Sequence, residues 1–271
     1  MVKPERKFLV DAAFIAEWTS KTFFGTPLLT KGGKDHTFTF GFARDFLKLR
    51  RDLGMQSCVL LMGKEAHFHV TAENTENFTA FLRGLGFHYI SDRENSGLNL
   101  VGALQSQFTH IVTADKRLLQ LSKEDFTIVL LRQSNPRKYD WLSPEAVSAA
   151  MGINPKQVPT YLALTAASKT RALYRKQAVD LIKQYGNLDS IFKNFAKVAS
   201  RRIRQKLQEN EEAIRDRLAA NTVEVVQNVS CNNFQSASPA NLNTESNRQF
   251  LREYGFHSLV RLLEDSSDSP F

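Results

Sequence analysis

The chain has 271 residues, of which 42% are hydrophobic, and its formal net charge is +8. This length and composition fit one large globular domain or two small ones, each with a sizeable core. No apolar run is long enough to cross a bilayer, and the N-terminal residues lack the apolar stretch of a secretory signal. The two cysteines, Cys58 and Cys231, form no disulfide framework, so a reducing compartment is expected.

Between residues 8 and 132 short apolar runs alternate with amphipathic stretches. The apolar runs are predicted as strands at Phe8–Asp11, Ser57–Met62, Phe87–Ser91, Thr109–Thr113 and Phe126–Arg132. Helices are predicted between them at Phe42–Gly54, Asn74–Leu85 and Leu98–Gln105. This alternation predicts an α/β fold with a mostly parallel sheet flanked by helices. Open sheets of this kind place their chemistry at the carboxyl ends of strands, where Asp11 and Asp115 stand.

The pattern changes after Arg132. Residues 133–140 are predicted as a loop, and the residues that follow are predicted to be entirely helical. A helix over Ser143–Gly152 has Ser as its cap, Pro at its first position and Gly at its end. Further helices are predicted at 171–185, 188–199 and 200–220.

The remaining residues divide the chain into four regions. Residues 227–247 are polar and nearly uncharged, which predicts a linker or long surface loop. A last amphipathic segment over 252–263 is expected to dock on the body, and an acidic tail follows it. The predicted regions are 1–135, α/β and nuclease-like; 136–226, helical and basic; 227–247, the linker or loop; and 248–271, the docking segment and tail.

Positive charge is concentrated in one stretch. Residues Lys169 to Lys206 include eleven basic and two acidic side chains. The net charge of this stretch, +9, exceeds the +8 of the whole chain. Such a surplus favours a polyanionic partner, usually nucleic acid, over a basic helix surface that contacts only solvent.

Several motifs resemble the 5′-nuclease domain of bacterial DNA polymerase I, a member of the flap-endonuclease family. The stretches that carry the resemblance are FLVDAAF, TPLLTKGG with TFTFGFARDFL, IVTADKRLLQL, LSPEAVSAAMGINPKQVPTYLAL, YGNLDSIF and LREYGFHSLVRLL. The motif that begins at Leu142 is the most specific of them. The resemblance covers nearly the whole chain. It implies a PIN-like nuclease sheet followed by a helix-three-turn-helix-like DNA-binding region.

The resemblance also implies metal-dependent hydrolysis of a phosphodiester near a 5′ end or flap, with two divalent ions held by carboxylates. Two candidate metal ligands match the family pattern, Asp11 and Asp115. The other ligand positions carry Met62, residues Asn95 to Asn99, Arg117, Ala167 and Thr170. Magnesium needs several oxygen ligands, so an impaired nuclease is expected, its old site closed by Asp–Arg pairs. Asp11 is otherwise explained as a buried polar group and Asp115 as a helix cap.

Two further departures concern nucleic-acid contacts. Residues 64–86 are too short for the family's basic helical arch, and Ala172 to Lys176 replace the glycines of its phosphate-binding turn. Side-chain cations are therefore expected to bind nucleic acid in place of that turn. The predicted binding residues are Lys169, Arg171, Arg175 and Lys176, with Arg201, Arg202 and Arg204 as a second patch.

These observations predict a catalytically impaired flap-endonuclease-like protein that binds branched, flap or duplex DNA. Its phosphate contacts do not exclude RNA. One alternative is an active 5′-3′ exonuclease with a reduced site of Asp11, Asp92, Glu94 and Asp115. Another is a structural subunit of a replication or ribonucleoprotein assembly. No cofactor is expected for an impaired site. An active site would be expected to use magnesium or manganese. The protein is expected in the cytoplasm, associated with the nucleoid, or in an organellar matrix. It is expected neither to be secreted nor to bind a membrane.

Overall fold

The computed structural model describes residues 5–23, 33–67, 72–132, 135–166, 173–224, 226, 229 and 242–264, except for the side chains of 72–74 and 135–137. Lys169 and Arg171 lie outside this description. So do Ala167 and Thr170, the motif residues 26–32, most of the polar segment 227–247 and the tail 265–271.

The described chain forms six strands and thirteen α-helices. The strands are β1 (Lys7–Asp11), β2 (Ser57–Met62), β3 (Tyr89–Ser91), β4 (His110–Thr113), β5 (Thr127–Arg132) and β6 (Asn135–Leu142). The helices are α1 (Ala12–Thr22), α2 (Thr37–Asp52), α3 (Lys64–His67), α4 (Ala72–Gly84), α5 (Gly97–Leu104), α6 (Pro144–Met151), α7 (Val158–Thr165), α8 (Arg175–Tyr185), α9 (Leu188–Lys193), α10 (Arg201–Glu209), α11 (Glu211–Asn221), α12 (Glu245–Glu253) and α13 (His257–Glu264). None of these helices combines the length and apolar character that crossing a membrane requires.

The strands form one sheet in the order β3-β2-β1-β4-β5-β6. β1 pairs in parallel with both β2 and β4, so that Leu9 lies opposite Val59 on one side and Ile111 on the other. Apolar residues run continuously through β1 and β2 because both faces of a parallel sheet are covered by helices. The predicted fold class, a mostly parallel sheet flanked by helices, is confirmed.

The prediction of a loop at residues 133–140 was wrong, because β6 occupies Asn135–Leu142. Pro136 argued against a strand, since proline cannot donate a hydrogen bond to a neighbouring strand. The sheet order explains why it is tolerated: β6 is an edge strand, where one row of backbone groups needs no partner strand.

The chain divides into two compact units. One comprises Met1–Ala114, Leu131–Tyr139 and Val225–Phe271, and the other comprises Asp115–Leu130 and Asp140–Glu224. Each unit is made of segments that are separate in the sequence. In the first unit, the rings of Phe250, Tyr254 and Phe256 each lie 5.2–5.6 Å from the ring of Phe81, so aromatic contacts hold α12 and the residues before α13 against α4.

The second unit contains α6 to α11. The hydroxyl of Ser143 accepts a hydrogen bond from Ala146 N at 3.3 Å, and Gly152 ends α6 with φ of +78°. Both features follow from the cap and stop residues of the sequence. Arg217 on α11 donates to the carbonyl of Ala163 on α7 at 3.3 Å, and Gln157 donates to the carbonyl of Gly186 at 3.1 Å. These contacts tie the helical turns together across the unit.

Candidate functional site

Asp11 ends β1 and is 8% exposed. One carboxylate oxygen, Oδ1, accepts the backbone N–H of Ala13 at 3.1 Å and thereby caps α1. The other, Oδ2, accepts the hydroxyl of Thr113 at 2.9 Å. Asp11 is therefore a hydrogen-bonded carboxylate at the carboxyl edge of the sheet, and it caps a helix as well as facing that edge.

Glu65 is a second carboxylate at this edge that the sequence analysis missed. Its Oε2 accepts the backbone N–H of Gly97 at 2.8 Å. A Cβ placed on Gly97 would lie 3.6 Å from that oxygen and 3.8 Å from Oδ1 of Asp11, so both carboxylates face the start of α5. The signal available in the sequence was position alone, since Glu65 follows the end of β2 by three residues.

Gly63 explains how the chain brings Glu65 to Gly97. A Cβ on Gly63 would lie 2.5 Å from the backbone nitrogen of Gly97 and 2.6 Å from its Cα. Only a glycine permits this approach of two backbones, because any larger residue would overlap atoms that cannot move aside. The turn after β2 therefore packs directly on the N-terminus of α5.

Apolar side chains occupy two positions at which the resemblance implied carboxylates. Met62 at the end of β2 is 1% exposed, and Leu98 in the first turn of α5 is 5% exposed. Both therefore belong to the core, and neither offers the oxygen that a hard divalent cation requires.

Asp92 has a structural role in the turn that follows β3. Its carboxylate accepts hydrogen bonds from the backbone of Glu94, the backbone of Asn95 and the side-chain amide of Asn95, each at 2.8 Å. Burial raises the pKa of Asp92, but these hydrogen bonds, led by the Asn95 side chain, outweigh it and hold the pKa below its usual value. The ionised carboxylate of Asp92 thus orders the turn.

Asp115 belongs to the second unit and caps the 3₁₀ turn Lys116–Leu121. Its Oδ1 accepts the backbone N–H of Arg117 at 2.9 Å. The guanidinium of Arg117 engages the same carboxylate, with Nε 3.0 Å from Oδ1 and Nη2 2.6 Å from Oδ2. A further bond from Nη1 to the carbonyl of Ala220 measures 3.3 Å. Both oxygens of Asp115 are therefore paired with a cation.

The two-ion site that the resemblance implies does not fit these residues. No three Asp, Glu, His or Cys side chains are grouped to hold a metal ion anywhere in the part of the chain that the structure describes. The positions of the implied ligands carry apolar groups at Met62 and Leu98 and a cation at Arg117. Asp11 and Glu65 are the two carboxylates that the first unit brings together.

The predicted nucleic-acid-binding residues that are described all lie in the second unit. Lys176, Arg201 and Arg202 are exposed. Arg175 and Arg204 also support the fold, since Arg175 donates to the carbonyl of Ala150 and Arg204 to those of Val198 and Ala199. Arg175 is exposed and Arg204 is half-buried.

Tyr174 connects the two predicted basic patches. Tyr174 is 59% exposed, and Nζ of Lys206 on α10 lies 5.4 Å from the centroid of its ring. This contact links the start of α8, which carries Arg175 and Lys176, to the helix that carries Arg201 and Arg202. We use the name α8–α10 basic surface for Tyr174, Arg175, Lys176, Arg201, Arg202 and Lys206. Neither Tyr174 nor Lys206 was among the predicted binding residues, although Lys206 lies in the basic stretch.

Comparisons with known proteins agree with this fold. The chain is 30% identical to a 5′-3′ exonuclease of Aquifex aeolicus over 92 residues, which are 32% of this chain and 30% of that protein. It is 23% identical to DNA polymerase I of Bacillus subtilis, over 99% of this chain and 33% of that protein. The chain thus spans about a third of the length of these relatives. No family model matches it.

Among solved structures, the catalytic core of Rad2 in complex with a DNA substrate superimposes with a TM-score of 0.64 at 16% identity. The superposition covers 97% of this chain and 93% of that one. The predicted resemblance is confirmed: the sequence is similar to those of a 5′-3′ exonuclease and a DNA polymerase I, and the fold is similar to that of the catalytic core of Rad2.

Proposed function

We propose that this flap-endonuclease-like protein binds nucleic acid through the α8–α10 basic surface and that its capacity to hydrolyse phosphodiesters is impaired. The preferred ligands are branched, flap or duplex DNA. The observation that carries the impairment is the ion pair in which Arg117 holds both oxygens of Asp115.

A guanidinium opposes metal binding at Asp115 in two ways. It neutralises the carboxylate charge that would attract a dication, and its donors occupy the lone pairs that would coordinate one. The buried side chains of Met62 and Leu98 act in the same direction at the sheet edge, since they replace oxygen ligands with carbon and sulfur. The proposal therefore includes no hydrolytic step through metal ions.

Binding is supported by the charge and exposure of the second unit. Exposed lysine and arginine side chains neutralise phosphates and release the counterions that surround nucleic acid. Contacts of this kind are independent of base sequence, and their strength falls steeply with salt. The relatives, a 5′-3′ exonuclease and a DNA polymerase I, together with the complex of Rad2 with a DNA substrate, support DNA as the first ligand to test.

The test is a paired assay on one labelled 5′-flap duplex, with binding followed by anisotropy across a salt series and cleavage followed on a gel. Magnesium, manganese and a chelator are compared. Salt-sensitive binding without cleavage is expected in all three conditions. Binding that is absent at low salt would contradict the proposal and point to the structural-subunit alternative.

An active metal-dependent 5′-3′ exonuclease with a reduced site is the second candidate. It is favoured by one observation, the two carboxylates of Asp11 and Glu65 that face Gly97. Metal-dependent cleavage that is lost in both Asp11→Asn and Glu65→Gln, with DNA binding retained, would establish this candidate. Cleavage that survives both substitutions would identify a contaminating nuclease.

A further inference from the structure

We infer that Tyr174 is a stacking site for an unpaired nucleobase, so that this protein prefers nucleic acid with a single-stranded segment over continuous duplex. The inference rests on the proposed function, and it adds a base contact to the phosphate contacts of the α8–α10 basic surface.

The first observation is the exposure of the ring. Among the residues the structure describes, two large apolar side chains are exposed, Trp141 at 38% and Tyr174 at 59%. A tyrosine that is 59% exposed contributes little to a hydrophobic core. Exposed aromatic side chains of this kind commonly mark a binding site.

The second observation is that the backbone beneath the ring is held firmly. Leu173 is fully buried, and its N–H donates to the carbonyl of Leu164 at 3.0 Å. The N–H of Tyr174 donates to Oε1 of Gln177 at 3.1 Å. The ring therefore projects from an anchored position, which lowers the entropy lost when a ligand stacks on it.

Capping does not explain a tyrosine at this position. Tyr174 is the N-cap of α8, and Gln177 at the third helical position reaches back to accept its backbone N–H. Other helices of the chain begin with side chains that accept a hydrogen bond from the helix, namely Asp11, Ser96, Ser143, Asn187, Ser200 and Thr244. Tyrosine lacks the short side-chain oxygen that caps a helix.

The third observation identifies the ligand class. Lys206 lies over the ring, and Arg175 and Lys176 follow it in the chain. Protein partners of an exposed tyrosine usually bring an apolar rim, whereas the group recorded over this ring is the ammonium of Lys206. An aromatic platform beside a cationic track is how proteins bind single-stranded nucleic acid, since every base has a π face and every nucleotide a phosphate. Paired bases are stacked on their neighbours, so the ring favours an unpaired one.

The test compares two DNA ligands, a blunt duplex and the same duplex with a 5′ single-stranded flap that carries 2-aminopurine. The full chain is used as wild type, Tyr174→Leu, Tyr174→Phe and, as a matched control at the other exposed aromatic, Trp141→Leu. Stacking of 2-aminopurine on the ring quenches its fluorescence, which a purely structural role of Tyr174 would not produce. Circular dichroism confirms that each variant is folded.

The wild type, Tyr174→Phe and Trp141→Leu are expected to bind the flapped ligand about tenfold more tightly than the duplex and to quench the probe. Tyr174→Leu is expected to bind both ligands with the wild-type duplex affinity, without quenching. Equal flap affinity and quenching in wild type and Tyr174→Leu would overturn the inference and leave the proposed function intact. If the wild type binds neither DNA ligand but binds an acidic protein, the inference and the proposed function are both overturned.

Discussion

The side chain of Arg117 holds the carboxylate of Asp115 from two residues away, with Nη2 2.6 Å from Oδ2 and Nε within 3.0 Å of both oxygens. Both side chains are partly exposed, at 32% for Arg117 and 24% for Asp115. The bidentate geometry makes this pair stronger than a single surface contact. The pair also neutralises a carboxylate at a position where the resemblance implied a metal ligand.

Removing the guanidinium should have a modest effect on stability. We expect Arg117→Gln to lower the free energy of unfolding by about 1 kcal/mol, because the pair is partly solvated and Asp115 keeps its bond to the backbone N–H of residue 117. Denaturant unfolding measures this. The substitution Arg51→Gln, at the partly exposed pair with Asp52, is the matched control and should cost less. A loss above about 3 kcal/mol would contradict this estimate and show that Arg117 is essential to the stability of the fold.

The contact between Gly63 and Gly97 should make one glycine intolerant and the other tolerant. Gly63→Ala would place a methyl group 2.5 Å from the backbone of Gly97, and we expect a loss of at least about 2 kcal/mol. Gly97→Ala meets no atom closer than 3.6 Å, in the first turn of a helix, and should change stability by less than about 1 kcal/mol. Thermal unfolding of the two variants decides. Equal losses of stability in the two variants would contradict the close contact between the backbones of Gly63 and Gly97.

The aromatic contact of α12 can be tested at Gly84. A Cβ at this position would overlap the ring of Phe250, so Gly84→Ala should destabilise the protein by about 1–3 kcal/mol. In a Phe250→Leu background the smaller side chain can give way, and the same substitution should cost less. A double-mutant cycle measures this coupling. Additive effects would show that α12 does not rest on Gly84.

Stability should depend on pH through His110 in β4. Burial, aided by Arg6, lowers the pKa of His110 from 6.5 to about 4, and its ring stacks on Phe8 with centroids 4.8 Å apart. Between these pH values the unfolded chain binds a proton that the folded chain does not. The contribution of neutral His110 to the free energy of unfolding is therefore fully present above about pH 6.5 and is lost as the pH falls toward 4.

We expect the free energy of unfolding to fall by about 2 kcal/mol across that window, after allowance for partial exposure. The variant His110→Phe keeps an aromatic ring beside Phe8 and removes the proton, so its profile should be flatter. His257→Gln, at an exposed histidine, is the control and should retain the wild-type slope. An unchanged slope in His110→Phe would rule out His110 as the source.

The predicted basic residues can be tested by charge removal. The double variant Arg201→Gln/Arg202→Gln should weaken DNA binding at low salt and reduce the slope of log affinity against log salt by about one to two. Lys34→Gln/Lys138→Gln removes two exposed charges from the first unit and serves as the control. Equal slopes in the two double variants would indicate binding through net charge alone.

The fold was largely predictable because its strands are continuous apolar runs. β1, β2 and β5 were predicted within one residue at each end, since the buried middle of each strand is a run of apolar residues. In the core, the rings of Phe42 and Phe78 pack edge to face with their centroids 4.4 Å apart. β6 was missed because Pro136 favours a loop in a sequence pattern, although an edge strand tolerates a proline.

The site was less predictable, because its contacts join residues far apart in the chain. Glu65 reaches Gly97 only through the close approach of Gly63, and the pattern around a single glycine does not predict that approach. The contact of Tyr174 with Lys206 likewise depends on the packing of the helical unit. By contrast, Arg117 lies two residues from Asp115, so a local pattern was enough to predict their pairing.

Single-turnover cleavage tests the central proposal most directly. Protein in large excess is mixed with a labelled 5′-flap duplex at a concentration that saturates binding, with magnesium or manganese, so that weak turnover cannot be hidden by weak binding. We predict a fully bound ligand that stays intact in the wild type and in Asp11→Asn alike. Cleavage by the wild type that disappears in Asp11→Asn, with binding unchanged, would contradict an impaired site and establish an active nuclease.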